Sequence, residues 1–327
     1  MQCLPASPSD HVRLSHLTKI SKAYWGYSPE QMAVWDEELT ILPAYIEQHQ
    51  VWKLVEEEKV IAYYSFWMED PQTAYLDNLF LDPVWIGQGL GRIFLQDAMA
   101  RMAGGGATSV RLDADPHAEA FYRHQGFQVT GQLQSGIPGR FLPIMEKDLT
   151  DYFPPPVFMT QRLQIRDLQS FDLLPFHEMQ SDPAVMRYIK PPVSWSESKS
   201  ELIRFMEKSE SPFSHFFAVC EKQHQELIGM IGAYENGNGE TELAWRLRPN
   251  WWRKGLGAEM ADALITYVFQ TFTEINQLTA YAHPENHGSI RILAGHMEWV
   301  EDVFLEKYQM TSRKFQIDRH RWVAGGV

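Results

Sequence analysis

The chain has 327 residues, 44% of them hydrophobic and 22% charged, which is typical of soluble globular proteins and enough for two domains. A net charge of −13 argues against non-specific nucleic-acid binding, and no apolar run is long enough to cross a bilayer. The first residues lack the pattern of a secretory signal, and Cys3 and Cys220 lack metal-type spacing, so a reducing, cytoplasmic setting is expected.

Helix and strand patterns fill the first half of the chain. Ser or Asp at positions 9 and 10 predicts a helix start, and Ser28-Pro29-Glu30 predicts a second one. Predicted helices cover residues 10–25, a segment from residue 28, 89–102 and 117–124, and predicted strands cover 51–55, 60–67, 75–81, 109–112, 127–130 and 141–145.

Three consecutive prolines, Pro154 to Pro156, mark the best boundary in the chain, because they stop regular structure and form a stiff connector. The predicted domains are residues 1–152 and 160–327, joined by a linker of residues 153–159. Helices and strands do not alternate strictly, which favours an α+β fold with a mixed sheet over a doubly wound sheet.

The second half repeats the order of the first. Its predicted helices cover a segment ending near residue 188, 196–208, 255–272 and 289–295, and its predicted strands cover 163–165, 216–220, 227–233, 242–247, 278–282, 300–305 and 314–317.

Two glycine turns lie at matching places in these halves, Gly89-Leu90-Gly91 and Gly255-Leu256-Gly257, 166 residues apart. Each follows a strand pattern and opens a helix pattern, where backbone N–H groups and the helix dipole favour a phosphate. Phe94 and Met260 stand where a dinucleotide fingerprint has its third glycine, and neither turn continues as a Walker sequence. Nicotinamide and nucleoside triphosphate sites are therefore disfavoured.

The neighbours of the turns make them more specific. The segments 79–83, 87–92 and 118–127 resemble the GNAT family of acetyl-CoA-dependent N-acetyltransferases, and 163–166, 181–188 and 286–291 are similar to the branch of that family that acetylates ribosomal proteins (the RimJ/RimL type). The resemblance covers nearly the whole chain and implies two tandem GNAT domains, each with a mixed, mostly antiparallel sheet flanked by helices.

The resemblance also implies how acetyl-CoA is bound. Its pyrophosphate is expected on the two turns, and its pantetheine arm is expected to pair like an extra strand with the strand before each turn. Departures from the family are Ile86 and Trp252, where Gln or Arg is common, so the arginines and the lysine of the turns must supply the positive charge. The implied cofactor-binding residues are Leu79, Phe80, Leu81, Gln88, Gly89, Leu90, Gly91, Arg92 and His117 in the first half, and Trp245, Arg246, Leu247, Arg253, Lys254, Gly255, Leu256, Gly257, Ala258 and Asn286 in the second.

Direct transfer of an acetyl group from a thioester to an amine needs a base, an oxyanion donor and an acid for the thiolate. Tyr122 matches the family's usual acid, with a packed aromatic side chain as the alternative. Asp77 is the first choice of base, against a purely structural carboxylate, and a backbone N–H near Leu81 is the family-like oxyanion donor. Glu242 is the analogous guess of base in the second half.

The second half departs further from the family. Leu293 stands where the first half has Tyr122, and His296-Met297-Glu298 replaces a Leu-Gly-Phe pattern. Ser289 remains as a residue for the thiol side. Catalysis in the second half is therefore an open question, and an acyl-CoA-binding or regulatory module without turnover is the alternative. The paired histidines His283 and His287 lack a third ligand pattern, so no metal is expected.

The acceptor is expected to be a primary amine of an unidentified small molecule or peptide. Trp25, Tyr27 and Arg140 are the candidate substrate contacts, because aromatic rings can hold a cation, although the rings are equally compatible with a core position. The acidic composition favours a cationic amine or serves solubility only. Neither nucleic acid nor membrane is expected as a partner, and a monomer with an internal pseudo-dimer and a homodimer both remain open.

Overall fold

A computed structural model describes residues 1–208, 214–306 and 309–324. The chain divides into two compact units, Met1–Phe153 and Pro154–Val327, called unit 1 and unit 2. No helix among the described residues is long and apolar enough to cross a membrane. Both cysteines are buried, and neither forms a disulfide within the described residues.

Unit 1 is a sheet with helices on both faces. In chain order its elements are β1 (Gln2–Pro5), α1 (His11–Ala23), α2 (Pro29–Val34), α3 (Pro43–Gln48), β2 (Gln50–Glu56), β3 (Lys59–Met68), β4 (Thr73–Leu81), α4 (Leu90–Gly104), β5 (Ser109–Asp113), α5 (Glu119–His124), β6 (Gln128–Gln134) and β7 (Phe141–Asp148). The sheet order is β1-β2-β3-β4-β5-β7-β6, and only the β4–β5 pair is parallel.

Unit 2 repeats this plan. Its elements are β8 (Phe158–Met159), β9 (Leu163–Asp167), α6 (Leu173–Ser181), α7 (Pro183–Met186), α8 (Trp195–Lys208), β10 (Ser214–Glu221), β11 (Leu227–Glu235), β12 (Thr241–Leu247), α9 (Leu256–Thr271), β13 (Gln277–Ala282), α10 (His287–His296), β14 (Glu298–Leu305), β15 (Met310–Asp318) and α11 (Arg319–Ala324). The sheet order is β14-β15-β13-β12-β11-β10-β9-β8, and β12–β13 is its parallel pair.

The expected α+β fold with a mixed, mostly antiparallel sheet in each half is therefore confirmed. The helix after each glycine turn covers one face of its sheet with buried side chains, such as Phe94 and Leu95 of α4 and Met260 and Leu264 of α9. Burial of this apolar stripe is the main stabilising contribution of each helix.

Some boundaries differ from the expectation. Phe158–Met159, assigned to the linker, form the edge strand β8, which pairs with β9. The segment expected as one helix up to residue 188 is two helices, because Pro183 opens a new one and Asp182 caps it. The predicted helix over residues 10–25 begins with a short 3-10 turn and becomes α-helical at His11.

Candidate functional site

The two central strands of unit 1 separate partway along their length. β4 and β5 pair over three residues only, Thr73–Tyr75 of β4 with Ser109–Arg111 of β5. Beyond this point β4 continues to Leu81 without β5 beside it. The backbone N–H of Asp82 donates to the carbonyl of Ile61 on β3 at 2.7 Å. Because antiparallel bonding alternates, the backbone groups of Leu79 and Leu81 point away from β3, into the gap. These two residues therefore offer an unpaired strand edge.

Phe80 lies between them and has the opposite orientation. Its backbone faces Tyr63 of β3, and its ring lies 5.8 Å from the Tyr63 ring. The predicted backbone contact of Phe80 with the pantetheine arm does not fit this geometry. The backbone groups of Leu79 and Leu81 do face the gap, so a pantetheine contact of these two residues stays a prediction that fits the geometry.

A bulge in β4 places Asp77 at the start of the gap. Ser65 of β3 pairs with Asn78 and the next residue, Phe66, pairs with Leu76, so Asp77 is the extra residue. A bulge at such a point re-aims one side chain and ends regular pairing. The Asp77 side chain consequently shares a face of the sheet with Asn78.

Two neutral side chains bond to the Asp77 carboxylate. The Tyr45 hydroxyl donates to its Oδ2 at 2.5 Å and the Asn78 amide donates to it at 2.7 Å. Burial among protein atoms raises the pKa of Asp77 and outweighs the hydrogen bond from Tyr45 and the charge of His49, which lower it. The residue nevertheless remains accessible to solvent, so the carboxylate lies in an open slot rather than in the core. Such a group is suited to take a proton.

The start of α4 has the geometry of an anion site. Gly87 and Gly89 both have positive φ, 82° and 81°, and no side chain caps the helix. The first N–H groups of a helix have no partner within it, so they point at the space in front of α4. The Gln88 amide donates to the Val84 carbonyl at 2.7 Å and closes the loop on itself, and Arg92 is exposed beside it.

Tyr122 is buried in α5 against Phe121 and Phe127, with ring centroids 5.1 and 5.5 Å away. Burial and the neighbouring Asp115 carboxylate raise the pKa of Tyr122, so the phenol keeps its proton at neutral pH. The Phe121 ring is 3.7 Å from where a Cβ on Gly91 would lie, which ties this part of α5 to the start of α4. A phenol that keeps its proton is compatible with an acid role.

The predicted substrate residues of unit 1 come together around Asp115. The Tyr27 hydroxyl donates to Asp115 at 2.8 Å, and Arg140 donates to both of them at 3.0 Å. Lys22 forms an ion pair with the same carboxylate. Arg140 is thus already committed to structural contacts, which weakens its assignment as a substrate contact.

The His117 ring lies with this group. Its ring stacks on Trp25 at 5.8 Å and meets Tyr27 edge-on at 5.3 Å. The predicted cofactor role of His117 is not supported by these contacts. Its ring instead extends the aromatic wall that the predicted substrate residues form.

Unit 2 has a similar gap between β12 and β13, which pair only at Glu242 and Thr279. The N–H of Arg248 donates to the Ile228 carbonyl at 2.8 Å, so Trp245 and Leu247 face the gap as Leu79 and Leu81 do in unit 1. The backbone of Arg246 faces β11, as that of Phe80 faces β3.

β12 differs from β4 because it has no bulge. It pairs with β11 residue by residue from Thr241 to Leu247. Glu242 contacts the parallel strand as Tyr75 does in unit 1, so Glu242 corresponds to Tyr75 and not to Asp77. The analogy between Glu242 and Asp77 was therefore wrong in position. Glu242 accepts a hydrogen bond from the Tyr234 hydroxyl at 2.5 Å.

The glycine turn of unit 2 matches that of unit 1. Arg253 and Gly255 have φ of 60° and 78°, at the places of Gly87 and Gly89, and no side chain caps α9. Lys254 lies 4.5 Å from the centre of the Trp251 ring. Arg162, from the turn before β9, donates to the Lys254 carbonyl at 2.7 Å, and its charge is paired with Glu259 in the first turn of α9 at 2.7 Å.

A cleft of about 420 Å³ lies over the gap of unit 2, and its lining includes Asn286, Ser289 and Leu293. The Asn286 side chain caps α10 by accepting the Ser289 N–H at 3.1 Å, so both predicted residues lie at one helix start. Leu293 is buried and apolar. No proton donor therefore stands in unit 2 at the place corresponding to Tyr122.

Sequence reasoning missed Tyr45, Ser65 and Asn78 around Asp77. Tyr45 lies on a six-residue helix that the sequence analysis did not identify, although Pro43 at its first turn is a helix-start signal. Ser65 and Asn78 are adjacent only through the pairing register of β3 and β4, which single-sequence patterns do not give.

The open edge at Leu79 and Leu81 and the bare helix starts fit the pantetheine and pyrophosphate of an acyl-CoA. In unit 2 the Trp252 indole N–H already donates to the Leu247 carbonyl at 2.6 Å. Comparison with known proteins agrees. Residues 17–127 match the family model described as "Acetyltransferase (GNAT) family", and residues 162–295 match the one described as "Acetyltransferase (GNAT) domain".

Relatives with curated names include two uncharacterized N-acetyltransferases. One, p20 from Bacillus licheniformis, is 30% identical over 138 residues, which is 41% of this chain and 77% of the relative. The other, YnaD from Bacillus subtilis (strain 168), is 31% identical over 135 residues, again 41% and 77%. A solved GNAT-family acetyltransferase from Bacillus anthracis is 23% identical, with a TM-score of 0.44, covering 50% of this chain and 98% of that one.

The chain belongs to the GNAT acetyltransferase family, with two such domains in tandem. It is an acetyl-CoA-dependent N-acetyltransferase. The relation of the second half to the branch that acetylates ribosomal proteins stays a prediction.

Proposed function

We propose that unit 1 transfers the acetyl group of acetyl-CoA to a primary amine of a small molecule or peptide. The observation that carries this proposal is the bulge that holds Asp77 at the mouth of the gap, on the strand that exposes the backbone of Leu79 and Leu81. A base, backbone donors and a thioester-binding edge then lie on one strand.

Asp77 is the proposed base. An alkylammonium with a pKa of about 10 must lose its proton before its nitrogen can attack, and the raised pKa of Asp77 brings it closer to that task. Direct contact or a water chain can carry the proton.

The backbone N–H of Leu81 is the proposed donor to the oxygen that becomes negative, since its strand edge faces the gap. Tyr122 is the proposed acid. In the reaction the amine nitrogen bonds to the thioester carbon and the carbon–sulfur bond breaks. The ammonium loses two protons, one to Asp77 and one to solvent. Tyr122 gives its proton to the sulfur and is reprotonated from solvent, so one proton is released in each turnover.

The acceptor is proposed to enter between the ring wall of Trp25, Tyr27 and His117 and the acidic face of β4 and β5. Rings and carboxylates together favour a cation over an anion or a neutral group. Arg140 is paired with Asp115, a carboxylate that it shares with Lys22, so its side chain is held away from the acceptor.

The full chain with acetyl-CoA and a panel of diamines, amino sugars, amino acids and peptides tests this proposal. Thiol release and the mass of the product are measured together, so that acetyl-CoA hydrolysis is not counted as transfer. An amine product 42 Da heavier is roughly what acetyl addition requires. Absence of any acetylated product, together with absence of CoA binding, contradicts the proposal.

We propose for unit 2 a binding role without turnover as the alternative to a second active site. The one-to-one pairing of β12 and the buried Leu293 favour this alternative, because they remove the counterparts of Asp77 and Tyr122. The Asp77→Asn/Tyr122→Phe double variant tests it. Loss of all turnover with CoA binding retained is expected, whereas substantial residual turnover assigns catalysis to unit 2.

A further inference from the structure

Asp77 is held by a small network that joins α3 to the bulge. The Tyr45 hydroxyl is 2.5 Å from Asp77 Oδ2 and 2.6 Å from Ser65 Oγ. Asn78 Nδ2 is within hydrogen-bond distance of Tyr45 at 2.9 Å, of Ser65 at 2.8 Å and of Asp77 Oδ2 at 2.7 Å. All four side chains lie on one face of the sheet.

The direction of these hydrogen bonds follows from the number of protons. Ionised Asp77 only accepts, so the single hydroxyl proton of Tyr45 points to Oδ2. Ser65 then donates to the Tyr45 oxygen, and Asn78, with two amide protons, serves two of its three neighbours. Ser65 is fully buried, so this end of the network is fixed by the core.

The other oxygen of Asp77 has no such restraint. Neither Tyr45 nor Asn78 bonds to Oδ1, and no hydrogen bond to Oδ1 occurs within residues 1–208, 214–306 and 309–324. A carboxylate with one oxygen tied and the other open to the slot presents a single lone-pair direction to an incoming amine.

We propose that Tyr45 is the positioning residue for Asp77: its hydroxyl ties Oδ2 so that Oδ1 faces the incoming amine. This inference rests on the proposed function of Asp77 as base. Tyr45 touches neither of the reacting groups itself, so its effect is transmitted through Asp77.

The electrostatic surroundings agree with this role. Burial is the largest influence on the pKa of Asp77 and raises it, Asp113 of β5 raises it further, and the Tyr45 hydrogen bond and the His49 charge lower it. Tyr63 and Tyr75 also face this carboxylate. Burial and Asp77 raise the pKa of Tyr45, so its hydroxyl stays a donor over the whole working range.

Tyr45→Phe tests the inference, because phenylalanine keeps the ring that packs 4.6 Å from His49 and removes only the hydroxyl. Without that donor the pKa of Asp77 rises, so the acid limb of kcat/KM moves to higher pH by about one unit. The limb is measured with the best amine of the panel in the full chain. A carboxyl ¹³C titration of Asp77, assigned with Asp77→Asn, gives the same shift without turnover.

Tyr75→Phe is the matched control. It removes a hydroxyl from the same face, but one that bonds to Asp113 at 3.0 Å and not to Asp77, so the acid limb stays within about 0.3 unit. Equal acid limbs and carboxyl titrations in Tyr45→Phe and wild type overturn the positioning role. Full activity of Asp77→Asn overturns instead the proposed base, which keeps the two failures distinguishable. CoA affinity, expected unchanged, reports that each variant is folded.

Discussion

Unit 1 and unit 2 share a sheet plan, a strand gap and a glycine turn, yet they differ by one residue in the strand that borders the gap. β4 carries the extra residue Asp77, and β12 pairs without interruption. The bulge inserts Asp77 into the strand that borders the gap of unit 1, whereas Glu242 lines the cleft of unit 2 from a different strand position, bonded to Tyr234. The comparison separates acyl-CoA recognition, which needs backbone geometry, from acetyl transfer, which needs side chains at particular points.

The variants Asp77→Asn in unit 1 and Glu242→Gln in unit 2 test most directly whether only unit 1 carries a base. Loss of the base in unit 1 is expected to lower kcat/KM by about 10²–10⁴-fold, the usual range for acid–base groups. Glu242→Gln is expected to leave turnover within about twofold. Steady-state assays of the full chain with one amine measure both, and a larger effect of Glu242→Gln reverses the assignment of the units.

Tyr122→Phe is expected to have the next largest effect. The phenylalanine keeps the packing against Phe121 and Phe127 and removes the proton for the thiolate, so kcat falls by about 10²-fold while CoA affinity is retained.

Two acetyl donors that differ in the acidity of the leaving thiol distinguish an acid role of Tyr122 from a packing role, because an acidic thiol leaves as the thiolate without a proton. A donor with a more acidic thiol is expected to suffer much less from Tyr122→Phe than acetyl-CoA does. Equal losses with both donors indicate that the phenol only packs. Unit 2 offers the natural reference, because it already has Leu293 at that place.

The sequence carried the fold and the two turns, because apolar periodicity, glycines and flanking motifs are local signals. Asp77 was found as a candidate for the same reason. Its neighbours were not, since Tyr45 reaches it from α3 and Ser65 from β3, and only the register brings them together. The misplaced analogy of Glu242 has the same origin: a bulge shifts one strand by a residue without leaving a mark in the pattern.

Substitutions in the two glycine turns test whether both units bind CoA. Gly89 and Gly255 have left-handed backbones, where an alanine costs about 1–2 kcal/mol, and Gly89 has no atom within 4 Å of a built Cβ. Gly89→Ala and Gly255→Ala are therefore each expected to weaken CoA binding in their own unit by about tenfold. Calorimetric titration of the full chain with CoA resolves the two sites. Unchanged binding in Gly255→Ala indicates that unit 2 does not use its turn.

The smallest expected effect is on stability: ionised Asp77 is predicted to lower the free energy of unfolding of unit 1 at neutral pH. Its pKa is raised on folding above the ordinary 3.8, so the folded state holds the proton more tightly than the unfolded state. The stability from the protonated form is present below the ordinary value and is lost as pH rises through the raised pKa. Asp77→Asn, which is always neutral, is therefore expected to raise Tm by about 1–2 °C at pH 7, with no gain at pH 3.

Asp115→Asn in the same unit is expected to change stability with the opposite sign. Burial raises the pKa of Asp115, but the charge and hydrogen bond of Lys22 outweigh it, so the folded pKa lies below the ordinary value. The stability from ionised Asp115 is present above that value and is lost as pH falls, and its removal is expected to lower Tm at pH 7. Calorimetric scans of both variants at pH 3 and pH 7 measure the contrast. A lower Tm for Asp77→Asn at pH 7 means that Asp77 is a structural carboxylate like Asp115, because only a residue retained for its chemistry is expected to remain at a cost in stability.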